Sequence, residues 1–209
     1  MMLDKVFFDT ETTDLKPGQI GQLAYIKEKT TGEIEAGNYF FTVDNVSDGA
    51  AKVTGRDTEF YAQASCGIKF ADKADEIYNV FDNSMLVAHN LPFDENFLSM
   101  EFWRVGKTFA LTPDRRFDTM QYFTDVLKIP NYRGGKKKYK YPKLEELVSR
   151  LKINKEKVKL ATSKVFSEYF KENYGFHDAM YDTMSMFIAF AVYRDIINDT
   201  DYYKSAFTI

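Results

Sequence analysis

The sequence predicts an α/β domain built on a mixed sheet. Three observations carry that expectation: β-favouring runs come first, helical and β-like segments then alternate, and the longest helically periodic apolar stretch comes last. The first strand is Val6-Phe7-Phe8, an apolar run that leads straight into Asp9-Thr10-Glu11. Residues 20–27 and 37–43 read as two further strands, joined by a hairpin through Thr31-Gly32, so the first three strands are expected to be neighbours. Residues 71–81 read as a helix. Residues 84–89 (SMLVAH) form a short β-like run, after which Asn90 can cap a helix over 92–104 whose first turn tolerates Pro92. Residues 119–127 and 143–151 read as two more helices, and the charged, weakly periodic stretch 154–173 as a surface helical insertion. In 179–197, Met180, Met184, Phe187, Ile188 and Ala191 recur at helical spacing and mark a buried helix with Asp178 at its N-cap. The tail, 201–209, reads as a terminus or a segment that binds a partner.

Three acidic blocks stand out against this frame. In VFFDTETTDL, strand alternation sends Asp9 and Glu11 to one face and Thr10 to the other. Two carboxylates about 5 Å apart at an effective dielectric near 20 repel by about 3 kcal/mol, which raises a pKa or demands a cation. Oxygen ligands without cysteine favour magnesium or manganese over zinc. In LVAHNLPFDENFL, taken singly, Asp94 reads as a helix-start residue favoured by the helix dipole rather than as a ligand, and His89 as a satisfied strand-end histidine rather than a catalyst. In FHDAMYDTM, Asp182 lies one turn into the last helix and away from its apolar stripe, and His177 just precedes that helix.

Taken in order, DTETTDL, AHNLPFD and HDAMYD resemble the motifs of the DEDDh exonucleases, the family that includes proofreading subunits of bacterial DNA polymerases and ribonuclease T. The resemblance runs from about Val6 to Tyr193, with RFDTM and KYPKLEELV falling where the family has similar segments. It implies a ribonuclease H-like fold, a mixed five-stranded sheet flanked by helices, with RFDT as the short fifth strand. It further implies two divalent ions, Mg2+ or Mn2+, held by Asp9, Glu11, Asp94 and Asp182. Asp9 would bridge them, Glu11 and Asp182 would help hold the ion that binds the attacking water, Asp94 would serve the other partly through water, and His177 would be the general base. Thr10, Thr12 and Leu15 would contact the terminal nucleotide, with His89 and Asn90 as further substrate contacts and Asp118 as a supporting or structural acid. One position departs from the family pattern: Asp14 stands where a glycine is common, a position that often needs a left-handed backbone, and altered loop detail rather than a dead site is expected.

The chemistry of these residues agrees with the implied reaction. Phosphodiester hydrolysis needs an activated water opposite the leaving oxygen, and imidazole is the side chain that exchanges a proton near neutrality. The chain of 209 residues, 44% hydrophobic, can bury a core and reads as one domain, residues 1–209. At that size a polymerase in the same chain is not expected, so a proofreading role would serve a partner DNA polymerase in trans. Cys66 has no cysteine to pair with, and neither a signal segment nor a membrane-length apolar run is visible, so a cytoplasmic location is expected. The net charge of −3 argues against a broadly basic nucleic-acid binder. A local path for phosphates is offered by YRGGKKKYKYPK, where Arg133, Lys136, Lys137, Lys138, Lys140 and Lys143 interleave with tyrosines. The same segment also reads as a solvated charged loop. Three functions follow: a 3′-5′ exonuclease acting on single-stranded DNA 3′ ends, the same chemistry on RNA ends, or a non-catalytic nucleic-acid or polymerase-binding module.

Overall fold

The computed structural model describes residues 3–15, 18–132, 138–168 and 177–209. Five strands, β1 (Lys5–Thr12), β2 (Ile20–Glu28), β3 (Ile34–Phe40), β4 (Met85–Ala88) and β5 (Arg116–Asp118), form one sheet in the order β3-β2-β1-β4-β5. β1, β2 and β3 pair antiparallel in sequence order, while β4 and β5 return through helical crossovers and pair parallel with β1 and β4. The mixed five-stranded sheet is therefore the one expected, with RFDT at its edge.

The alternation of β1 divides the core. Val6 and Phe8 point to the face covered by α3 (Phe70–Phe81) and α4 (Leu91–Arg104), where they join Ile77, Phe81, Leu98 and Phe102. Phe7 points to the other face, which carries α6 (Leu144–Arg150), α7 (Lys155–Val165) and α8 (Ala179–Asn198). Phe123 of α5 (Thr119–Leu127) and Tyr203 and Phe207 of α9 (Tyr202–Phe207) pack there too. The tail thus folds back onto α8, and the Thr208 strand-like bridge to Ile153 fastens it. Among the described residues no helix is long and apolar enough to cross a membrane.

Several expectations need correction. The third strand lies at Ile34–Phe40, earlier than 37–43, because the hairpin register starts at Glu28–Ile34. Two helices lie where the sequence pattern predicts none: α1 (Asp48–Thr54), which buries no residue, and α2 (Thr58–Ser65). Their caps carry the signal, since Ser47 accepts from Ala50 N–H and Asp57 from Phe60 N–H. The 154–173 segment is more than a surface insertion: Val158, Thr162 and Phe166 are buried against the α8 layer, while 169–173 lie outside the described residues. The apolar stripe of α8 is too narrow a description, because helices on one side and the sheet on the other bury it nearly all round. Asp14 is not left-handed. The loop tightens at Gly18 instead, where a Cβ would stand 2.7 Å from the Asp14 carbonyl oxygen.

Candidate active site

β1 delivers Asp9 and Glu11 to the α8 face of the sheet, as alternation requires, and α8 brings Asp182 to them in its first turn. One carboxylate oxygen from each of the three lies within 4.8 Å of the others. The Asp182 Oδ2 accepts the His177 N–H at 3.1 Å, whereas its buried Oδ1 has no partner among the described residues. An orphaned buried carboxylate oxygen aimed into an all-oxygen cluster fits a hard divalent cation.

The electrostatics agree. Burial, then the charges of Asp94, Asp182 and Glu11, push Asp9 well above the usual carboxylate range. Burial lifts Glu11 to about 7 against the pull of Arg56. Asp182 is pushed well up by burial and by Glu11, despite the His177 bond. Four mutually repelling acids with raised pKa values are costly unless something positive joins them.

Asp94 arrives from the other layer. It stands in the first turn of α4, where Oδ1 accepts both the Thr10 N–H (3.1 Å) and the Thr10 hydroxyl (2.7 Å). Burial still raises it to about 7. It borders the three clustered acids without belonging to their 4.8 Å group. Thr10, pointing away from Asp9 and Glu11, therefore anchors Asp94.

His177 adopts a left-handed backbone (φ 69°) and is exposed. It lines a cavity of about 370 Å³ with Asp9, Asp182, His89, Tyr141, Lys143 and Glu145. On the other flank of Glu11, a second cavity of about 400 Å³ lies between Thr10, Thr12 and Leu15 and the unread helix α1, with Phe93 as a further wall. Leu15 is 73% exposed at its rim.

His89 is held by the protein at both ring nitrogens. Nδ1 lies 3.0 Å from the Thr119 hydroxyl and Nε2 lies 2.9 Å from the Pro142 carbonyl oxygen. A carbonyl oxygen can only accept, so Nε2 donates to Pro142 and pins the loop that walls the cavity, while burial lowers the pKa of the ring. Asn90 occupies the N-cap of α4 in a left-handed conformation (φ 80°), but its side chain makes no cap bond. Its N–H donates instead to Asp118 (3.2 Å), which also caps α5 through Gln121, so Asp118 is a structural acid.

Arg133, Lys136 and Lys137 lie outside the described residues. Lys138 is exposed and rests over the Tyr139 ring at 5.4 Å. A hairpin-like pairing of Asn131 with Lys138 and Ile129 with Lys140 carries the chain toward Tyr141 and Lys143 in the cavity wall. Lys140 is engaged by Glu146 at 2.5 Å. Tyr141 and Glu145 fall in the KYPKLEELV segment, which assigns them no role as cavity walls, and Arg56 and Gln22 behind Glu11 sit in no motif that would flag them.

A mixed sheet whose central strand meets a helix-borne aspartate over an oxygen-only cluster defines a ribonuclease H-like nuclease core. The chain belongs to the RNase T exonuclease family, the DEDDh-type 3′-5′ exonucleases, whose profile, described as exonuclease, matches residues 6–190. It is 29% identical to the DNA polymerase III subunit epsilon of Buchnera aphidicola subsp. Acyrthosiphon pisum over 160 residues, 72% of this chain and 62% of that protein. It resembles E. coli exonuclease I in complex with a dT13 oligonucleotide (TM-score 0.66, 19% identity, 93% of this chain, 41% of that one). The zinc-ion-bound E. coli exonuclease I–ssDNA complex is similar too (TM-score 0.64, 18% identity, 95% and 42%). At those identities the likeness is one of fold, and the chain spans under two thirds of each relative's length.

Proposed function

We propose that this chain is a metal-dependent 3′-5′ exonuclease that removes nucleotides from the 3′ ends of nucleic acid, preferentially single-stranded DNA. The observation that carries the reading is the convergence of Asp9, Glu11 and Asp182, with an Asp182 oxygen unpartnered among the described residues, beside a cavity that Asp9 and Asp182 line together with His177. Asp9, Glu11 and Asp182 would hold one divalent ion, and Asp94 with Asp9 would serve a second, magnesium or manganese by the hardness of the donors. When bound, such ions supply charge to both the attacking and the leaving oxygens of an in-line displacement.

The chain's own residues do the rest. His177 accepts the proton of the attacking water, and its backbone bond to Asp182 ties the base to the ligand it must work beside. Thr12 and Leu15, together with the α1 wall, receive the terminal nucleotide in the second cavity, and Thr10 keeps Asp94 in place. Lys143 at the cavity wall and the exposed Lys138 offer charge to the phosphates, and the sequence adds Lys136 and Lys137, which lie outside the described residues. The oligonucleotide held by exonuclease I supports a single-stranded substrate. Kinship with a polymerase subunit supports a role beside a partner DNA polymerase in trans.

The test is a 5′-labelled single-stranded DNA oligomer with Mg2+ or Mn2+, set against EDTA and Asp9→Ala, alongside a matched RNA. A ladder shortening one nucleotide at a time, absent from both controls, is expected, with DNA degraded faster. A faster RNA ladder moves the substrate to RNA ends. Binding of both oligomers without cleavage in either metal overturns the enzyme reading in favour of a binding module.

A further inference from the structure

Behind Glu11 lies a buried cation that the reaction does not require. Arg56, in the link between α1 and α2, has a side chain only 7% exposed. Its Nη2 donates to the Asp178 carboxylate and its Nη1 to Gln22 Oε1. Its guanidinium lies over the rings of Phe40 (5.6 Å) and Phe60 (5.1 Å).

Both polar partners are one step from the ligands. Gln22 is the cross-strand neighbour of Glu11. Asp178 caps α8, accepting at Oδ1 from the N–H groups of Met180 (3.0 Å) and Tyr181 (3.3 Å), while its carbonyl accepts the Asp182 N–H (2.9 Å). Asp178 is thus a fifth carboxylate beside the four ligand candidates, and its charge is felt by Asp9, Glu11 and Asp182. What separates it from them is occupancy: Oδ1 serves the helix and Oδ2 serves Arg56.

We propose that Arg56 is a positioning residue that commits Asp178 to capping α8, keeping it out of the metal-ligand set and leaving Asp9, Glu11 and Asp182 in productive geometry. This rests on the metal-dependent reading above. A buried ion pair is by itself a poor source of stability, and a well-packed apolar residue of similar volume often replaces one at no loss. Removing Arg56 alone leaves the Asp178 carboxylate buried, unpaired and within reach of a cation.

The experiment compares Arg56→Met, Asp178→Asn and the double variant in the full chain. It reads equilibrium Mn2+ binding without substrate, the melting temperature in EDTA, and kcat and KM at saturating Mn2+. Arg56→Met is expected to tighten Mn2+ binding about threefold or more while lowering kcat about 10- to 100-fold with KM nearly unchanged. The double variant should return Mn2+ affinity to the wild-type value and recover at least half of the lost kcat on a logarithmic scale.

Three results overturn the proposal: unchanged or weaker Mn2+ binding in Arg56→Met, a melting-temperature loss with kcat per folded molecule intact, or a double variant as impaired as Arg56→Met. Should Arg56→Met fail to fold, Arg56→Lys keeps the charge but loses the two-pronged donor. A lower kcat with Mn2+ binding tightened is then expected, and wild-type values for both reject the idea. If the wild type cleaves nothing, the nuclease reading fails, while the order of Mn2+ affinities still decides the role of Arg56.

Discussion

Helix α8 carries two enclosed aspartates that the protein treats in opposite ways. Asp195, near the C-terminal end, accepts from the Thr200 hydroxyl (2.8 Å), the Tyr203 N–H (2.5 Å) and the Lys204 N–H (2.9 Å). Burial alone would push its pKa up, but those donors outweigh it and hold the carboxyl below its ordinary value. Asp182, near the N-terminal end, has one backbone donor, one bare oxygen and other acids as neighbours, and its pKa is driven far up. The difference teaches how to tell a fastening from a site. A carboxylate that holds the fold has its oxygens supplied with donors, whereas one left with a bare oxygen among other acids fits a cation.

The comparison breaks most visibly at the ligands. Asp9→Ala is expected to lower the rate of nucleotide release by about 10⁴-fold or more and to weaken Mn2+ binding. Calorimetry showing wild-type manganese affinity in that variant would remove Asp9 from the ligand set. His177→Ala should cost about 10²- to 10⁴-fold in kcat while leaving Mn2+ binding intact. Single-turnover rates measured at saturating metal decide this, and full activity would mean that another group takes the proton.

At the other end of the helix the signs reverse. Asp195→Ala strands three donors and should destabilise the fold by about 2 kcal/mol, roughly 4–8 °C in melting temperature, with kcat per folded molecule unchanged. Asp182→Asn should abolish activity yet raise the melting temperature in EDTA by about 1 kcal/mol equivalent, because it relieves like-charge repulsion and keeps an oxygen for the His177 N–H. A lower melting temperature in that variant would erase the contrast between the two aspartates.

The pH dependence sharpens the same point. Glu11 and Asp94 both sit near 7 when folded, from ordinary values of 4.5 and 3.8. A raised folded pKa means that the unfolded chain releases these protons first. Their contribution is full below about 4 and is lost as pH rises through about 7. In EDTA the melting temperature should therefore fall between pH 5 and pH 8. Saturating Mg2+ should flatten that fall, since a cation that binds only the folded state stabilises it by mass action. A metal-free melting temperature that climbs across this range would contradict the raised values.

Much of this was legible in the chain, for local reasons. Period-two alternation alone places Asp9 and Glu11 on one face of β1 and Thr10 on the other, and the Asp178 cap is a short-range pattern that the structure keeps. The helices α3, α4, α5 and α6 begin and end within about one residue of their periodic stretches. What escaped was α1, whose exposed turns carry no apolar rhythm, and the strain at Asn90 and His177, whose left-handed backbones are set by what surrounds them.

Residue type and spacing therefore determined the strands, the order of the acidic blocks and the face each acid would take, because those depend on neighbours a few positions away. Only the tertiary structure decided that Asp94 from one layer is anchored by Thr10, that Asp182 from the other keeps an unpartnered oxygen, and that Arg56 from an unread loop occupies Asp178. Those outcomes depend on which donors reach a carboxylate once water has been removed. That supply comes from segments far apart along the chain and is fixed only when the layers pack.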